Sequence, residues 1–297
     1  RLTGRSFYDL FMKNLSKNPD PLRPRAVDEA FRGEAQRMRN EGAVIGRLDH
    51  DALLAGEADR SLSSVPGEDA ALWYRGWMVP VPRYRELEAA LDARGARLAV
   101  GADAYARVHE LPGWYAGFEG LTPASVWCAA DAGRPPEADA LARAVAPWGS
   151  GPGIVKDFVK SRKHEWHEAC FVPDLADGAA LYAVAARMVE LQGDFLAGGV
   201  VVRVFEDFQG PEARAWWVNG RPVAIGAHPD TPGEAPHPPQ AFLEEVARPV
   251  EALGHPFVVT DLACTADGRW RVVEVGDGQV TGMPEGMDPQ EVLGRLA

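Results

Sequence analysis

Apolar and polar positions follow two periods along this chain, and the switches between them divide it. In the first part the pattern alternates short strand-like runs with helix-period stretches. Ser6 to Met12 predicts a strand and Lys13 to Pro24 a polar, proline-bearing loop. Ala26 to Asn40 predicts a helix, with Ala26, Ala30, Phe31 and Met38 on one stripe and Gly42 beyond its end. Ala43 to Leu48 predicts a strand and Asp49 to Asp69 an irregular polar stretch. Leu72 to Val81 predicts a strand stopped by proline, Arg83 to Arg94 a helix closed by Gly95, and Arg97 to Val100 a further strand. A helix over Ala102 to His109 follows, then a loop rich in aromatic, glycine and proline residues, LPGWYAGFEGLTP. This succession predicts a small parallel α/β domain over residues 1–125, with linkers at Asp131 to Pro136 and Pro147 to Gly153.

Residues 126–297 have a different texture. Gly153 to Lys160 predicts a strand, Ser161 to Lys163 a basic turn, and Glu165 to Phe171 a returning strand. Ala179 to Leu191 predicts a helix and Gly199 to Phe205 (GVVVRVF) a buried strand. Ala213 to Val218 and Pro222 to Ala227 flank Asn219-Gly220, the strongest short hairpin signal. A proline-rich loop over Thr231 to Pro239 leads to a helix over Gln240 to Leu253, which Pro249 should kink or shorten. Phe257 to Cys264 and Arg269 to Gly276 predict a hairpin around Thr265-Ala266-Asp267-Gly268, and Pro289 to Leu296 a last short helix. With Ala266 and Asp267 as a two-residue loop, Asp261 lies opposite Val272. Glu274 is then its diagonal neighbour on the same face. Two carboxylates so placed suit a hard divalent cation. The alternative is one acid facing solvent at the sheet end, and a one-residue change of register would separate the two.

Composition narrows the function classes. The chain has 297 residues, 46% of them hydrophobic, with 9 Trp, which is globular. A net charge of −12 argues against nucleic acid as a partner. No apolar run approaches the roughly 18 residues of a membrane span, and the start, RLTGRSFYDLF, has no secretory h-region. Cys128, Cys170 and Cys264 are few, odd in number and far apart, as expected of free thiols in a cytoplasmic protein.

Against that acidic background the local cations stand out. Lys156 lies in a strand and is followed by Lys160, Ser161, Arg162 and Lys163, a basic turn suited to a polyphosphate. Its alternative is a lysine on a wet sheet face. Arg203 and Arg214 lie in apolar strands and point to an internal anion or to salt bridges with Glu206 and Glu212. The run Gly149-Ser150-Gly151-Pro152-Gly153 precedes a strand, so it is a linker and no nucleotide fingerprint. His164 and His167 are three apart without a further ligand, which argues against zinc, and no nucleophile elbow occurs.

The order of IVKDFVKSRK, VVVRVFED, EARAWWVNG, VVTDLA and VVEVGDG resembles the ATP-grasp superfamily, most closely its bacterial clade marked by one arginine and two lysines. The resemblance covers residues 150–285 and implies an ATP-grasp fold, two α+β subdomains gripping ATP. It implies that Lys156 contacts the α- and β-phosphates and that Lys163, or Lys160, covers the β- and γ-phosphates. Arg203, Val204, Phe205 and Glu206 would form the hinge beside adenine and ribose, and Arg214 would meet the γ-phosphate or an acyl phosphate. Asp261 and Glu274 would hold magnesium. The superfamily's last motif is usually Glu-x-Asn; here it is Glu274-Val275-Gly276-Asp277, leaving Asp277 as the third metal ligand.

The implied chemistry is ADP-forming ligation of a carboxylate to an amine or related nucleophile through an acyl phosphate. The substrates would be small molecules or peptides. Alternatives are a non-catalytic nucleotide-binding regulator and a kinase acting on a hydroxyl. Arg75, within YRGWM, is the candidate for a substrate carboxylate in the first part.

Overall fold

The computed structural model of the chain describes residues 7–13, 27–63, 65, 71–234, 236–283 and 287–296. Ser6, the expected loop from residue 14 and Ala26 lie outside them. The strands are β1 (Phe7–Lys13), β2 (Val44–Asp49), β3 (Ala71–Arg75), β4 (Arg97–Leu98), β5 (Ser125–Ala129), β6 (Gly153–Lys156) and β7 (Phe171–Val172). They continue with β8 (Gly199–Val204), β9 (Phe208–Val218), β10 (Arg221–Ala227), β11 (Phe257–Thr265) and β12 (Trp270–Asp277). The chain forms two compact units, both discontinuous in sequence. One contains residues 1–108, 213–260 and 276–297, the other residues 109–212 and 261–275.

The first unit holds a parallel sheet of order β2-β1-β3-β4. Parallel strands need crossovers, and the helices Glu29–Asn40 and Val81–Asp92 supply them. Both helices bury an apolar stripe: Phe31, Ala35 and Met38 from one, Tyr84, Leu87 and Leu91 from the other. Tyr84 stacks on Tyr105 with ring centroids 4.1 Å apart and meets Tyr74 edge-on at 5.8 Å. The same unit contains the β9–β10 hairpin, whose turn follows its chemistry: Asn219 (φ 49°) and Gly220 (φ 75°) both take left-handed backbone. Trp216 and Trp217 on β9 are buried, and Trp217 donates its indole N–H to Thr260 Oγ1 at 2.9 Å.

The second unit is built on an antiparallel sheet of order β5-β8-β6-β7. One face is covered by the helices Ala138–Val145 and Gly178–Gln192. Their Leu141, Val145, Leu181, Ala185, Met188 and Val189 bury against Val155, Val172, Val200 and Val202. At about 1.5–3 kcal/mol for each large apolar side chain buried, this layer is the main source of the unit's stability.

Several elements depart from the expected pattern. Leu111–Phe118 is a helix instead of a loop: Pro112 sits in its first turn, where the missing N–H costs nothing, and Leu111, Trp114 and Phe118 bury one face. Residues 163–169 form a short 3₁₀ turn and one helical turn where a strand was expected. Strand β5 and the helix Ala138–Val145 lie in a stretch where only the linker Asp131 to Pro136 was expected. The polar stretch after β2 contains two short helices, His50–Leu54 and Ala58–Ser61, the first capped by Asp49. Pro249 neither stops nor shortens the helix Gln240–Ala252, and Leu253 donates to the Pro249 carbonyl at 3.1 Å.

Candidate active site

Lys156 ends β6. Its ammonium is buried beside the carboxylate of Glu274 on β12, 3.9 Å from Oε1, and donates to the Val159 carbonyl at 3.1 Å. The wet-face alternative is therefore excluded: the side chain is 9% exposed, whereas Glu274 keeps 42% exposure. An ammonium has three donors, so this one retains capacity for an oxygen ligand beside an acid.

The turn after Lys156 fixes that position. Asp157 donates its N–H to the Lys160 carbonyl at 2.9 Å, and Lys156 and Ser161 form an isolated bridge. The buried Asp157 carboxylate accepts N–H bonds from Val159 and Lys160 through Oδ1 and from Gln192 Nε2 and Ala197 through Oδ2. Beyond it the side chains of Lys160 and Lys163 are exposed, and Arg162 pairs with Glu165 at 3.0 Å. Asp157 gave no signal in the sequence beyond following a strand lysine.

The four residues expected at the hinge divide by what they touch. Arg203 is buried, and its guanidinium donates to Ser125 Oγ (3.0 Å), the Val273 carbonyl (2.6 Å) and Thr122 Oγ1 (3.5 Å). Burial lowers its pKa to about 10. Glu206 grips Arg271 with two bonds of 2.8 Å, and Arg271 also donates to the Thr122 carbonyl at 2.7 Å. Arg203 and Glu206 thus tie β8 and the chain beyond it to β12, on either side of Val272, and hold Glu274 against Lys156. Val204 and Phe205 instead line a cavity of about 350 Å³ with Trp148, Ser150, Gly151, Pro152 and Leu175.

The β11–β12 turn corrects the expected register. Gly268 (φ 83°) donates to the Thr265 carbonyl at 2.9 Å, and Thr265 donates to the Arg269 carbonyl at 2.8 Å. The loop therefore has three residues and ends in a glycine bulge, and Thr265 faces Arg269 instead of Gly268. Carried on unbroken, this pairing sets Asp261 opposite Val273 and turns Glu274 to the other face. The strand is not unbroken, however. Val272 donates to the Leu121 carbonyl at 2.9 Å while the neighbouring Val273 carbonyl receives Arg203. Burial along β12 likewise runs from Val272 to Val275, a three-residue step in a two-residue pattern.

Three further expected site residues belong to the first unit. Arg214 is half-buried on β9, facing Gly226 of β10. Asp277 is fully buried and its oxygens accept bonds from His255 Nε2 (3.0 Å), the Gln279 N–H (2.7 Å) and Gln279 Nε2 (3.1 Å). Arg75 is buried in a bidentate pair with Glu34 at 2.6 and 2.8 Å and donates to the carbonyls of Gly278 and Gln279. Asp277 and Arg75 thus have internal partners for the groups expected to meet metal and substrate. In the second unit, Asp261 lies buried on β11. All three cysteines are free thiols, and burial raises Cys170 to about 11.

A family model described as an ATP-grasp domain, family 3 of the clade named for one arginine and two lysines, matches residues 145–296. The chain belongs to this family. Its fold is the mixed α+β ATP-grasp fold, preceded in sequence by the parallel α/β portion. Among solved structures it is similar to the D-cycloserine synthetase DcsG, at 15% identity and a TM-score of 0.61 over 98% of this chain and 100% of that one. It is also similar to a RimK domain ATP-grasp protein from Sphaerobacter thermophilus DSM 20745, at 17% identity, TM-score 0.57, covering 93% and 92%. A third is the ATP-grasp ligase PsnB complexed with minimal precursor, Mg and ADP, at 14% identity, TM-score 0.53, covering 95% and 92%. No curated protein matches the sequence. Among the described residues no helix is long and apolar enough to cross a membrane.

Proposed function

We propose that this ATP-grasp protein is an ADP-forming ligase that joins a carboxylate to an amine or related nucleophile through an acyl phosphate. One observation carries the reading: the buried Lys156 ammonium lies 3.9 Å from the half-exposed Glu274 carboxylate. A cation for phosphate and an acid for a divalent metal side by side form the minimum constellation for handling a metal–nucleotide. PsnB, a neighbour in fold, is described with Mg and ADP.

In this reading Lys156 binds the α- and β-phosphates, and the exposed Lys163 or Lys160 covers the phosphate tail. Val204 and Phe205 line the slot for the adenine, while Arg203 and Glu206 keep β12 in place. Arg214 receives the γ-phosphate or the acyl phosphate. Asp261 and Glu274 would hold magnesium; the irregularity at Val272–Val273 supports this, because one inserted residue there restores the two acids to a common face. Asp277 leaves the ligand set because its oxygens are already satisfied by His255 and Gln279, and Arg75 leaves the substrate set because it neutralises Glu34. A bound magnesium ion would neutralise phosphate charge. The protein's own part is to align the phosphate tail through Lys156 and to shield charge with Arg214. Residues 1–125 would act as the preceding domain and residues 126–297 as the grasp, in the cytoplasm. The carboxylate and amine would come from small molecules or peptides, in keeping with a D-cycloserine synthetase and a ligase complexed with a precursor peptide among the neighbours in fold.

The test is ADP release from Mg-ATP in the presence of panels of carboxylates with and without amines. Amine-dependent ADP formation is expected. ADP formation driven by hydroxyl acceptors alone, with the γ-phosphate transferred to them, would contradict the ligase.

A further inference from the structure

We propose that Asp157 is the positioning residue for Lys156 and sets the affinity of the site for a nucleotide's phosphates; this rests on the ligase reading above. The sequence places an acid directly after the strand lysine, and the structure buries it almost completely, at 1% exposure. A buried carboxylate is costly unless its lone pairs are filled. Here each oxygen accepts two N–H bonds: Val159 (2.7 Å) and Lys160 on Oδ1, Gln192 Nε2 (2.5 Å) and Ala197 (3.4 Å) on Oδ2.

These four bonds have one outcome at the site. The two on Oδ1 close the turn from Asp157 to Lys160 and fix the Val159–Lys160 peptide, whose carbonyl is the hydrogen-bond acceptor for Lys156 Nζ at 3.1 Å, and the two on Oδ2 tie that turn to Gln192 and Ala197. The Phe158 backbone is held from both sides, its N–H by the Ala197 carbonyl (3.1 Å) and its carbonyl by the Leu111 N–H (2.8 Å). The ammonium's direction is thus set by the Val159 carbonyl, whose peptide Asp157 holds through the Lys160 N–H. An asparagine at 157 keeps one acceptor oxygen and turns an NH₂ group toward two N–H donors, so the turn must rearrange.

The experiment is calorimetric titration of the full chain with Mg-ADP. Asp157→Asn is expected to weaken ADP about tenfold, the scale of one charge-assisted bond. In a Lys156→Ala background the same substitution is expected to change ADP affinity less than about twofold, because its effect passes through the missing lysine. Gln192→Met, which removes one donor and keeps the volume, should weaken ADP by a smaller factor in the same lysine-dependent way. An equal loss in both backgrounds would overturn the proposal, and so would loss of cooperative melting in both the Asn and Met variants, which assigns Asp157 to the fold. If Lys156→Ala abolishes ADP binding and Asp157→Asn leaves it unchanged, the positioning role fails while the ligase reading stands. Absence of ADP binding by the unsubstituted protein would remove both.

Discussion

At the scale of single residues, the chain uses its buried charges in two ways. Lys156 and Glu274 leave capacity open, whereas Arg75, Asp277 and Arg203 are each held by several internal partners. This division was only partly legible in the sequence. Lys156, Asp261 and Glu274 stood out because a charge in an apolar strand needs a reason. Nothing local distinguishes them from Arg75, whose partner Glu34 lies 41 positions away. Removing one member of such a pair leaves an uncompensated buried charge. Arg75→Ala is expected to cost about 3–5 kcal/mol, read as a drop of many degrees in melting temperature. A fully folded variant with unchanged melting would contradict the structural role. His50 supplies a pH prediction. It is buried with its ring at 3.3 Å from the Met78 carbonyl, and burial lowers its pKa. The unfolded chain therefore takes up a proton that the folded chain resists. Stability is full above the ordinary imidazole pKa and falls as pH drops through it toward the lower folded value. Melting followed from about pH 8 to pH 5 should fall less steeply in His50→Gln than in the native chain. Parallel slopes would count against it.

At the scale of elements, strong periodicity and turn chemistry were reliable, and short elements were not. The helices Glu29–Asn40, Val81–Asp92, Gly178–Gln192 and Gln240–Ala252 and the Asn219-Gly220 hairpin follow from stripes and turn residues. The helix Leu111–Phe118 was hidden because its proline and glycines read as loop, although a proline in the first turn is compatible with a helix. The β11–β12 turn was found at the right residues but with the wrong loop length, since both loops use glycine. The turn carrying the basic cluster docks on one glycine with no room for a side chain. Gly198 has φ 64°, and a Cβ there would lie 2.2 Å from the Phe158 ring. Gly198→Ala should therefore cost about 1–3 kcal/mol. Because Phe158 lies within the turn that holds Lys156, ADP affinity should fall as well. Calorimetry for both quantities checks this, and a neutral effect on melting would show that the packing is looser than described.

At the scale of the whole molecule, the family resemblance was carried by the order of five short phrases, and the match over residues 145–296 bears it out. The compact units are discontinuous in sequence: residues 213–260 and 276–297 group with the first 108 residues. Strand pairing between distant segments decides that, and local periodicity carries no record of it. The net charge of −12 by itself carries no sign of the cluster Lys156, Lys160, Arg162 and Lys163, which only the local sequence displays. The central claim is that Glu274 and Lys156 form one site for metal and phosphate. The most direct measurement is ADP binding with and without Mg²⁺ in the native chain and in Glu274→Gln. The account predicts that Mg²⁺ strengthens ADP binding to the native chain and has no such effect on the variant, whose metal-free binding persists. Equal strengthening by Mg²⁺ in both would contradict it.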